Sequence, residues 1–279
     1  MFIRCWGCRG SVPISNAECI QYGGDTSCLE IRDRNNDVII VDAGTGVRRL
    51  GKKLSEENIT DIHWFFTHTH YDHIIGFPFF QPLYNSQAHI TIYNHLQPRS
   101  NIFHQINEAI RPPYFPIRLK DCPATVKPHE PAHNPISIHS FTIETIALSH
   151  TGPGIGFKLT SQEKSCVFLT DNELDYCHKH ACSYSEYVAF CHGADFLIHD
   201  AEYTTEEYAR YRQYGHSTVQ QSLQLAVDAH VKRLGLFHHN RNRTDEEIEH
   251  FERYCNAYTQ ERAIDLQCVA LSQHFALEL

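Results

Sequence analysis

Three imidazoles and one carboxylate lie within six residues of this chain, in the segment His68-Thr69-His70-Tyr71-Asp72-His73. Imidazole nitrogens and carboxylate oxygens are ligands that zinc and similar divalent ions prefer. Alternate residues of an extended stretch point the same way, so His68 and His70 can reach one ion. Asp72 and His73, just past the turn, can face a second ion. The chain has 21 histidines, which leaves a solvated polar loop as the alternative, but we expect a metal site.

Several apolar runs that are typical of β-strands end directly in a histidine or an aspartate. The residues at these ends are His68, His150, Asp171, His199 with Asp200, His238 with His239, and Asp42. A single such residue is more simply explained as a turn former or a packed histidine. Functional sites in α/β proteins gather where strands end and loops begin, so the recurrence predicts that these ends share one edge of the fold.

The elements that must position these residues alternate along the chain. Strands are predicted at 28–32, 38–41, 62–66, 89–93, 136–148, 155–159, 166–169, 196–198, 234–237 and 267–270, and helices at 47–54, 204–214, 217–231 and 244–262. Thr204 is a plausible helix cap, and Thr244 with Glu247 predicts a capping box. The pattern indicates an α/β sandwich with helices on the sheet faces. We expect one domain over 1–279, with an irregular insertion at about 97–135 near the site.

Composition limits the classes of partner and the compartment. The net charge is −9, and no long run of Lys or Arg is present, so we do not expect binding to structured nucleic acid. No apolar stretch approaches membrane-spanning length, and Met1 is not followed by a signal-peptide pattern. Eleven cysteines without an export signal favour reduced thiols in a cytoplasmic protein.

The segment from His68 to His73 resembles the hallmark of the metallo-β-lactamase-fold hydrolase superfamily. That hallmark is His-x-His-x-Asp-His, followed later by a histidine, an aspartate and a last histidine. The matching positions here are His68, His70, Asp72, His73, His150, Asp171 and His238. The resemblance extends from Gly10 to His239, nearly the whole chain, and implies a four-layer αβ/βα sandwich.

The same resemblance implies how two metal ions would be shared. His68, His70 and His150 would hold one ion. Asp72, His73 and His238 would hold the other, and Asp171 would bridge both. His239 is the competing choice for the last ligand, but His238 directly follows the apolar run, as the family pattern requires. Zinc suits these ligands best, although Mn and Fe also accept them.

Two further segments are similar to the branch of the superfamily shared by ribonuclease Z and the cyclic-phosphate phosphodiesterases. They are Tyr214-Gly215-His216-Ser217-Thr218 and His199-Asp200-Ala201-Glu202-Tyr203. By this resemblance His216 is a candidate catalytic acid or charge stabiliser; a helix cap without chemistry is the alternative. Asp200 and Asp42 would each accept the N–H of a ligating or catalytic histidine and fix its tautomer. A turn-forming role is the alternative for Asp42.

The implied function is that of a dinuclear-metal phosphodiesterase. Two divalent ions about 3.5–4 Å apart lower the pKa of a bridging water, and the resulting hydroxide attacks the substrate. Asp72 would orient this nucleophile while ligating. The expected substrate is a small phosphodiester, such as a cyclic nucleotide or a sugar cyclic phosphate.

Two other activities and the assembly are left open. Ribonuclease Z carries a long basic arm that grips tRNA and this chain has no such segment, so RNA cleavage is an alternative. Thioester or lactone hydrolysis is another. No membrane partner is expected, and a homodimer is left open.

Three other features carry less weight. Cys5 and Cys8 have the spacing of a redox pair but lack its strand and helix context, so a structural role is expected. The stretch 177–182, with two cysteines and two histidines, fits no common zinc spacing, and we expect a polar helix or loop there. Asp25 stands where the family more usually has Asn.

Overall fold

A computed structural model of the protein describes residues 1–94 and 101–279. Over these residues the strands form two seven-stranded sheets. The first sheet contains β1 (Phe2–Gly7), β2 (Cys28–Arg32), β3 (Val38–Val41), β4 (Asp61–Phe65), β5 (His89–Tyr93), β6 (Thr125–His129) and β14 (Ala276–Glu278), in the order β14-β1-β2-β3-β4-β5-β6. The second contains β7 (Ile136–Ile138), β8 (Phe141–Ala147), β9 (Ile155–Ser161), β10 (Lys164–Leu169), β11 (Phe196–Asp200), β12 (Arg233–Phe237) and β13 (Gln267–Ala270), in the order β13-β12-β11-β10-β9-β8-β7.

The α-helices of the described residues connect and cover these strands. They are α1 (Val47–Glu56), α2 (Tyr71–Ile74), α3 (Ile102–Ala109), α4 (Tyr184–Cys191), α5 (Thr205–Tyr211), α6 (Val219–Asp228) and α7 (Asp245–Glu261). Capping boxes begin α4, α5, α6 and α7, which confirms the caps predicted at Thr204 and Thr244. None of these helices combines the length and apolar character needed to cross a membrane.

Side chains alternate between the two faces of each sheet and so build three apolar layers. In β3, Ile39 and Val41 pack between the sheets, whereas Val38 and Ile40 face the layer that contains α1 and α3. The outer face of the second sheet packs against α4, α6 and α7. Alternation with a period of two is what a strand buried on both faces requires. The four-layer αβ/βα sandwich predicted from the sequence is confirmed.

Strand direction sets which loops meet. β3, β4, β5 and β6 are parallel to one another, as are β10, β11, β12 and β13. β8 and β10 both pair antiparallel with β9 and therefore run in the same direction. The carboxyl ends of β3, β4, β8, β10, β11 and β12 consequently open toward one edge of the sandwich.

Two predicted segments differ from the structure. The stretch 97–135 is more regular than expected, because α3 and β6 form within it and β6 extends the first sheet; its first four residues lie outside the described part of the chain. The single run predicted at 136–148 is divided by a two-residue turn, His139–Ser140, into the hairpin of β7 and β8.

Candidate metal centre

Seven side chains from both sheets converge at this shared edge. Two of the groups that could hold an ion have ligand atoms within 4.8 Å of one another: His68, His70, His150 and Asp171, and separately Asp72, His73 and His238. The grouping agrees with the one that the sequence predicts. Since β4 leads to His68 and β8 leads to His150, the centre lies between the two sheets.

Asp171 lies between the two groups and faces each with a different oxygen. Its Oδ2 is 3.6 Å from His68 Nε2 and 3.7 Å from His150 Nε2. Its Oδ1 is 3.2 Å from His73 Nε2 and 3.3 Å from His238 Nε2. A carboxylate placed in this way can contribute one oxygen to each of two ions.

The histidines are oriented by hydrogen bonds on the ring nitrogen that faces away from the centre. His150 Nδ1 donates to the carbonyl of Gly215 at 3.0 Å, and His68 Nδ1 donates to Thr67 Oγ at 3.1 Å. His73 Nδ1 donates to Asp42 at 2.7 Å. Each of these bonds keeps a proton on Nδ1 and directs Nε2 at the centre, as in metal-ligating histidines.

Asp42 has no ligand capacity left for a metal, because protein donors already occupy its carboxylate. Its Oδ2 accepts from His73 and from Ser27 Oγ at 2.8 Å. Its Oδ1 accepts the backbone N–H of Thr67 at 2.8 Å. The structure therefore places Asp42 behind His73, the arrangement that the sequence suggested.

The backbone is strained where three of these residues leave their strands. Asp42, Asp171 and His238 have φ angles of 62°, 51° and 57°, in the left-handed region that non-glycine residues rarely adopt. Such residues cost free energy, persist only where surrounding contacts hold them, and cluster at functional sites. Their shared conformation turns each side chain into the space between the sheets.

Burial and neighbouring charges shift the pKa values of the histidines in opposite directions. Burial, with the nearby ring of His73, holds the pKa of His68 well below its usual value, and burial lowers that of His150 to about 3. Burial also opposes a charge on His73 and His238, but the carboxylates around them outweigh it and raise both pKa values well above normal.

The two aspartates of the centre show the opposite shift. Burial would raise the pKa of Asp171, but the charges of His238 and His73 outweigh it and hold that pKa well below normal. The pKa of Asp72 is likewise low, because His73 and His238 outweigh its burial. Both carboxyl groups are therefore ionised and able to ligate a cation at neutral pH.

Unpaired buried nitrogens also indicate that these residues suit divalent metal ions, independently of their spacing in the sequence. His68 Nε2 and His73 Nε2 are buried and have no hydrogen-bond partner among the described residues. A buried polar atom without a partner is costly, and both atoms point at the ionised Asp171. Metal binding would satisfy them and would offset the negative charge of Asp72 and Asp171.

His216 lies at the mouth of this centre and is not a helix cap. Its ring stacks on that of His238, with 4.7 Å between centroids and an angle of 16°. Its Nδ1 donates to Asp200 Oδ2 at 2.6 Å. The cap of α6 is Thr218, whose side chain accepts the N–H of Gln221. Asp200 thus orients His216 and leaves Nε2 of that ring for a substrate.

Glu202 is a functional candidate that the sequence reasoning missed. Its Oε2 accepts from His238 Nδ1 at 3.0 Å and lies 3.5 Å from His216 Nδ1. The signal was its position two residues after Asp200, which points both side chains in one direction at the end of β11. Glu202 fixes His238 in the way that Asp42 fixes His73.

Several neighbouring candidates lie elsewhere. His239, the alternative to His238, donates from Nε2 to the carbonyl of Leu271 at 2.8 Å, behind the centre. His199 is buried within β11 and contacts Asn172. Asp25 accepts from Thr45 and pairs with Arg49, so the position has structural partners.

The cysteine segments also lie apart from the centre. Cys5 and Cys8 are buried and donate to the backbone carbonyls of Gly7 and Leu271. The stretch 177–182 forms no helix, as one of the two predicted alternatives requires. His178, within it, donates to Glu173 at 2.8 Å.

The centre opens into a cleft of about 370 Å³. It is lined by Ser11, Thr69, His70, Tyr71, Asp72, Asp171, His216 and His238. Arg241, which is exposed, lies at the rim with Nη1 3.4 Å from Ser11 Oγ. The volume is at the small end of the range for small-molecule sites, and the arginine adds one positive charge beside it.

Known proteins resemble this chain in sequence and in fold. The family described as "Beta-lactamase superfamily domain" matches residues 37–239. Ribonuclease Z of Azobacteroides pseudotrichonymphae genomovar. CFP2 is 25% identical over 282 residues, covering 88% of this chain and 89% of that protein. The metallo-β-lactamase fold protein YhfI of Bacillus subtilis superposes with a TM-score of 0.73 at 15% identity, covering 100% of this chain and 99% of the other. A diphosphatase of the PhnP family superposes with a TM-score of 0.68 at 17% identity, covering 100% and 97%.

Proposed function

The chain belongs to the β-lactamase superfamily, as a metallo-β-lactamase-fold hydrolase related to ribonuclease Z, and from this premise we propose that it is a dinuclear-metal phosphodiesterase. The substrate we propose is a small phosphodiester, such as a cyclic nucleotide or a sugar cyclic phosphate. One observation carries the proposal: beyond the seven ligand side chains, His216 stands at the cleft, held by Asp200 at 2.6 Å. A protonated histidine beside the metals can supply a proton to the leaving oxygen of a phosphodiester.

His68, His70, His150 and Asp171 would hold one divalent ion, and Asp72, His73 and His238 the other. Asp171 would also reach the second ion through Oδ1, which faces His73 and His238. When bound, such ions supply Lewis acidity and a hydroxide-like nucleophile at neutral pH. The chain's own residues would position the nucleophile and would protonate the leaving oxygen. Asp72 is held by the backbone N–H of Ser11 at 2.8 Å and so presents a fixed oxygen to the nucleophile.

His216 would donate a proton from Nε2 to the leaving oxygen of the phosphodiester. Burial disfavours its charge, but Glu202 and Asp200 outweigh burial and raise the pKa of His216 to about 9, so the ring is protonated at neutral pH. Arg241 at the rim would contact a phosphoryl oxygen or a second phosphate. In phosphoryl transfer such positioning and charge stabilisation supply most of the catalysis.

Cleavage of RNA in the manner of ribonuclease Z is the second candidate. It is favoured by the similarity to ribonuclease Z over 88% of the chain. The net charge of −9 and the absence of a long Lys/Arg-rich segment favour the small substrate instead.

Hydrolysis of bis(p-nitrophenyl) phosphate, with and without a chelator, tests the proposal. We expect turnover that requires Zn²⁺ or Mn²⁺, and a loss of at least about 100-fold in His216→Ala at unchanged metal content. The matched control is His178→Ala, since His178 also pairs with a carboxylate and its side chain is also 12% exposed. Absence of metal-dependent turnover would rule out the phosphodiesterase.

A substrate panel then separates the two candidates. Cyclic mononucleotides, cyclic dinucleotides and a sugar cyclic phosphate form one arm, and a precursor tRNA forms the other. Preference for the tRNA, measured as kcat/KM, would replace the small-substrate proposal with RNA cleavage.

A further inference from the structure

A second histidine cluster lies at the other end of the sandwich. It consists of Asp61, His63 and His139, and we call it the distal histidine cluster. Asp61 and His63 belong to the first half of β4, whereas His68 follows the end of that strand. His63 precedes His68 by five residues, roughly 16 Å in an extended chain. The cluster is therefore separate from the candidate metal centre.

The cluster joins the two sheets. His63 projects from β4 of the first sheet, and His139 occupies the turn between β7 and β8 of the second. The His63 side chain is 14% exposed and that of His139 is 37% exposed. With these exposures, an ion can reach the ring nitrogens of both histidines from solvent.

The geometry is that of two ligands of one ion. His63 Nε2 and His139 Nε2 are 3.1 Å apart. Two nitrogens bound to a tetrahedral zinc ion at about 2.0–2.1 Å are about 3.3–3.4 Å apart, so the two rings would need to separate by only about 0.2–0.3 Å to share one ion. In the candidate metal centre, His150 Nε2 and His70 Nδ1 show nearly the same separation, 3.2 Å.

A third ligand approaches the same point. Asp61 Oδ2 lies 3.8 Å from His63 Nε2 and 3.9 Å from His139 Nε2. The Asp61 side chain is 63% exposed, so it can rotate inward without breaking a buried contact. Imidazole nitrogens and carboxylate oxygens are ligands that zinc accepts, and a water molecule would complete four-coordination at this partly exposed position.

The far side of each ring has a partner that suits metal ligation. His63 Nδ1 lies 2.8 Å from Tyr93 Oη, and donation to this oxygen leaves the lone pair of Nε2 directed at His139. His139 Nδ1 faces Asp37 Oδ2 at 3.7 Å. Outer partners of this kind hold the rings of metal-binding histidines.

His139 also occupies an unusual backbone position for its size. It has a φ of 50° in a two-residue hairpin turn, where glycine or asparagine is typical. A simple hydrogen bond between two imidazoles would explain the short nitrogen distance alone. It would not explain the convergent aspartate together with a histidine in this position.

We propose that Asp61, His63 and His139 bind one divalent transition-metal ion of the Zn²⁺ class, which ties the two sheets together at the end away from the catalytic cleft. The ion would be structural, since no described cleft with catalytic groups opens there.

Metal stoichiometry tests the proposal. The full-length protein is stripped with a chelator, dialysed against excess Zn²⁺, washed, and analysed for zinc per chain. We expect the wild type to retain one equivalent more than His139→Asn, which keeps a residue that tolerates positive φ. His63→Gln is expected to lose the same equivalent. Both variants should keep the wild-type rate on bis(p-nitrophenyl) phosphate.

The matched control is His192→Ala. His192 and His230 also form an edge-to-face pair, are exposed, and have ring centroids 5.8 Å apart, but they belong to no such ligand group among the described residues. We expect His192→Ala to retain the full zinc content. Equal zinc content in the wild type, His139→Asn and His63→Gln would overturn the proposal and leave an imidazole–imidazole hydrogen bond.

Discussion

At the scale of single residues, the charge on His216 depends on carboxylates that the sequence brings together from separate elements. Asp200 ends β11, Glu202 follows it, and His216 precedes α6. Burial alone would keep the ring neutral at pH 7. The two carboxylates reverse this and raise its pKa to about 9, which keeps the ring in the protonated form that the proposed general acid requires at neutral pH.

Substitution of Asp200 by asparagine should therefore change the pH profile. An acid acts in its protonated form, so activity is present below the pKa of His216 and is lost as the pH rises through it. Bound cations would shift this alkaline limb to lower pH in every variant, and the comparison between variants carries the test. We expect the limb of kcat in Asp200→Asn to lie at lower pH than in the wild type, measured with bis(p-nitrophenyl) phosphate.

The control is Asp228→Asn, which removes an exposed carboxylate that accepts from Tyr184 on the outer helices. Its profile should match the wild type. An unchanged alkaline limb in Asp200→Asn would mean that His216 does not supply the titrating proton.

At the scale of elements, strands were more predictable than the contacts between them. The central strands follow from apolar runs, because a strand buried on both faces must be apolar throughout. α4 was missed although Ser183 and Glu186 form a capping box, a signal available in the sequence. β14 has only three residues and gains its definition from pairing with β1.

The same was true of the candidate metal centre, where residues were more predictable than the contacts between strands. Four of the predicted ligands, His68, His150, Asp171 and His238, could be found because each directly follows an apolar run. His70, Asp72 and His73 were predicted from the segment 68–73 and its resemblance to the superfamily hallmark. The position of Glu202 two residues after Asp200 was visible in the sequence, but its hydrogen bond to His238 was not, because that bond depends on β12 lying beside β11. Pairing between distant segments is not visible in local patterns.

The turn before α6 positions a predicted metal ligand through its backbone. Gly215 has a φ of 91°, and its carbonyl accepts from His150 Nδ1 at 3.0 Å. A Cβ at this position would lie 2.0 Å from His150 Nδ1. Both effects act on the same ring, so the glycine is required by close approach as well as by conformation.

Gly215→Ala is therefore expected to displace His150, weaken the adjoining ion and reduce activity. The measurement is zinc content together with the rate on bis(p-nitrophenyl) phosphate. Gly193→Ala is the matched control, since Gly193 also has a positive φ of 66° but no atom within 4 Å of an added Cβ. Both variants should lose roughly 1–2 kcal/mol of stability from backbone strain. Equal zinc affinity in the two would contradict the role of the turn.

At the scale of the whole molecule, the candidate metal centre joins the two halves of the sandwich. His68, Asp72 and His73 follow strands of the first sheet, and His150, Asp171 and His238 follow strands of the second. The distal histidine cluster has the same relation to the sheets at the opposite end. Metal binding at either end should therefore stabilise the packing of one sheet on the other.

Removal of metal should lower the stability of the folded chain. A ligand that binds only the folded state contributes about 2.7 kcal/mol at 100 times its Kd, and the proposed dinuclear centre would contain two such sites. We expect the Tm to fall when a chelator is added, measured in His139→Asn so that the distal histidine cluster does not contribute. When Asp171→Ala is added to His139→Asn, the chelator should lower the Tm only a little, because the residue between the two proposed ions is absent. If the chelator lowers the Tm of this double variant as much as that of His139→Asn alone, the stabilising metal binds outside the site formed by Asp171 and its four histidines.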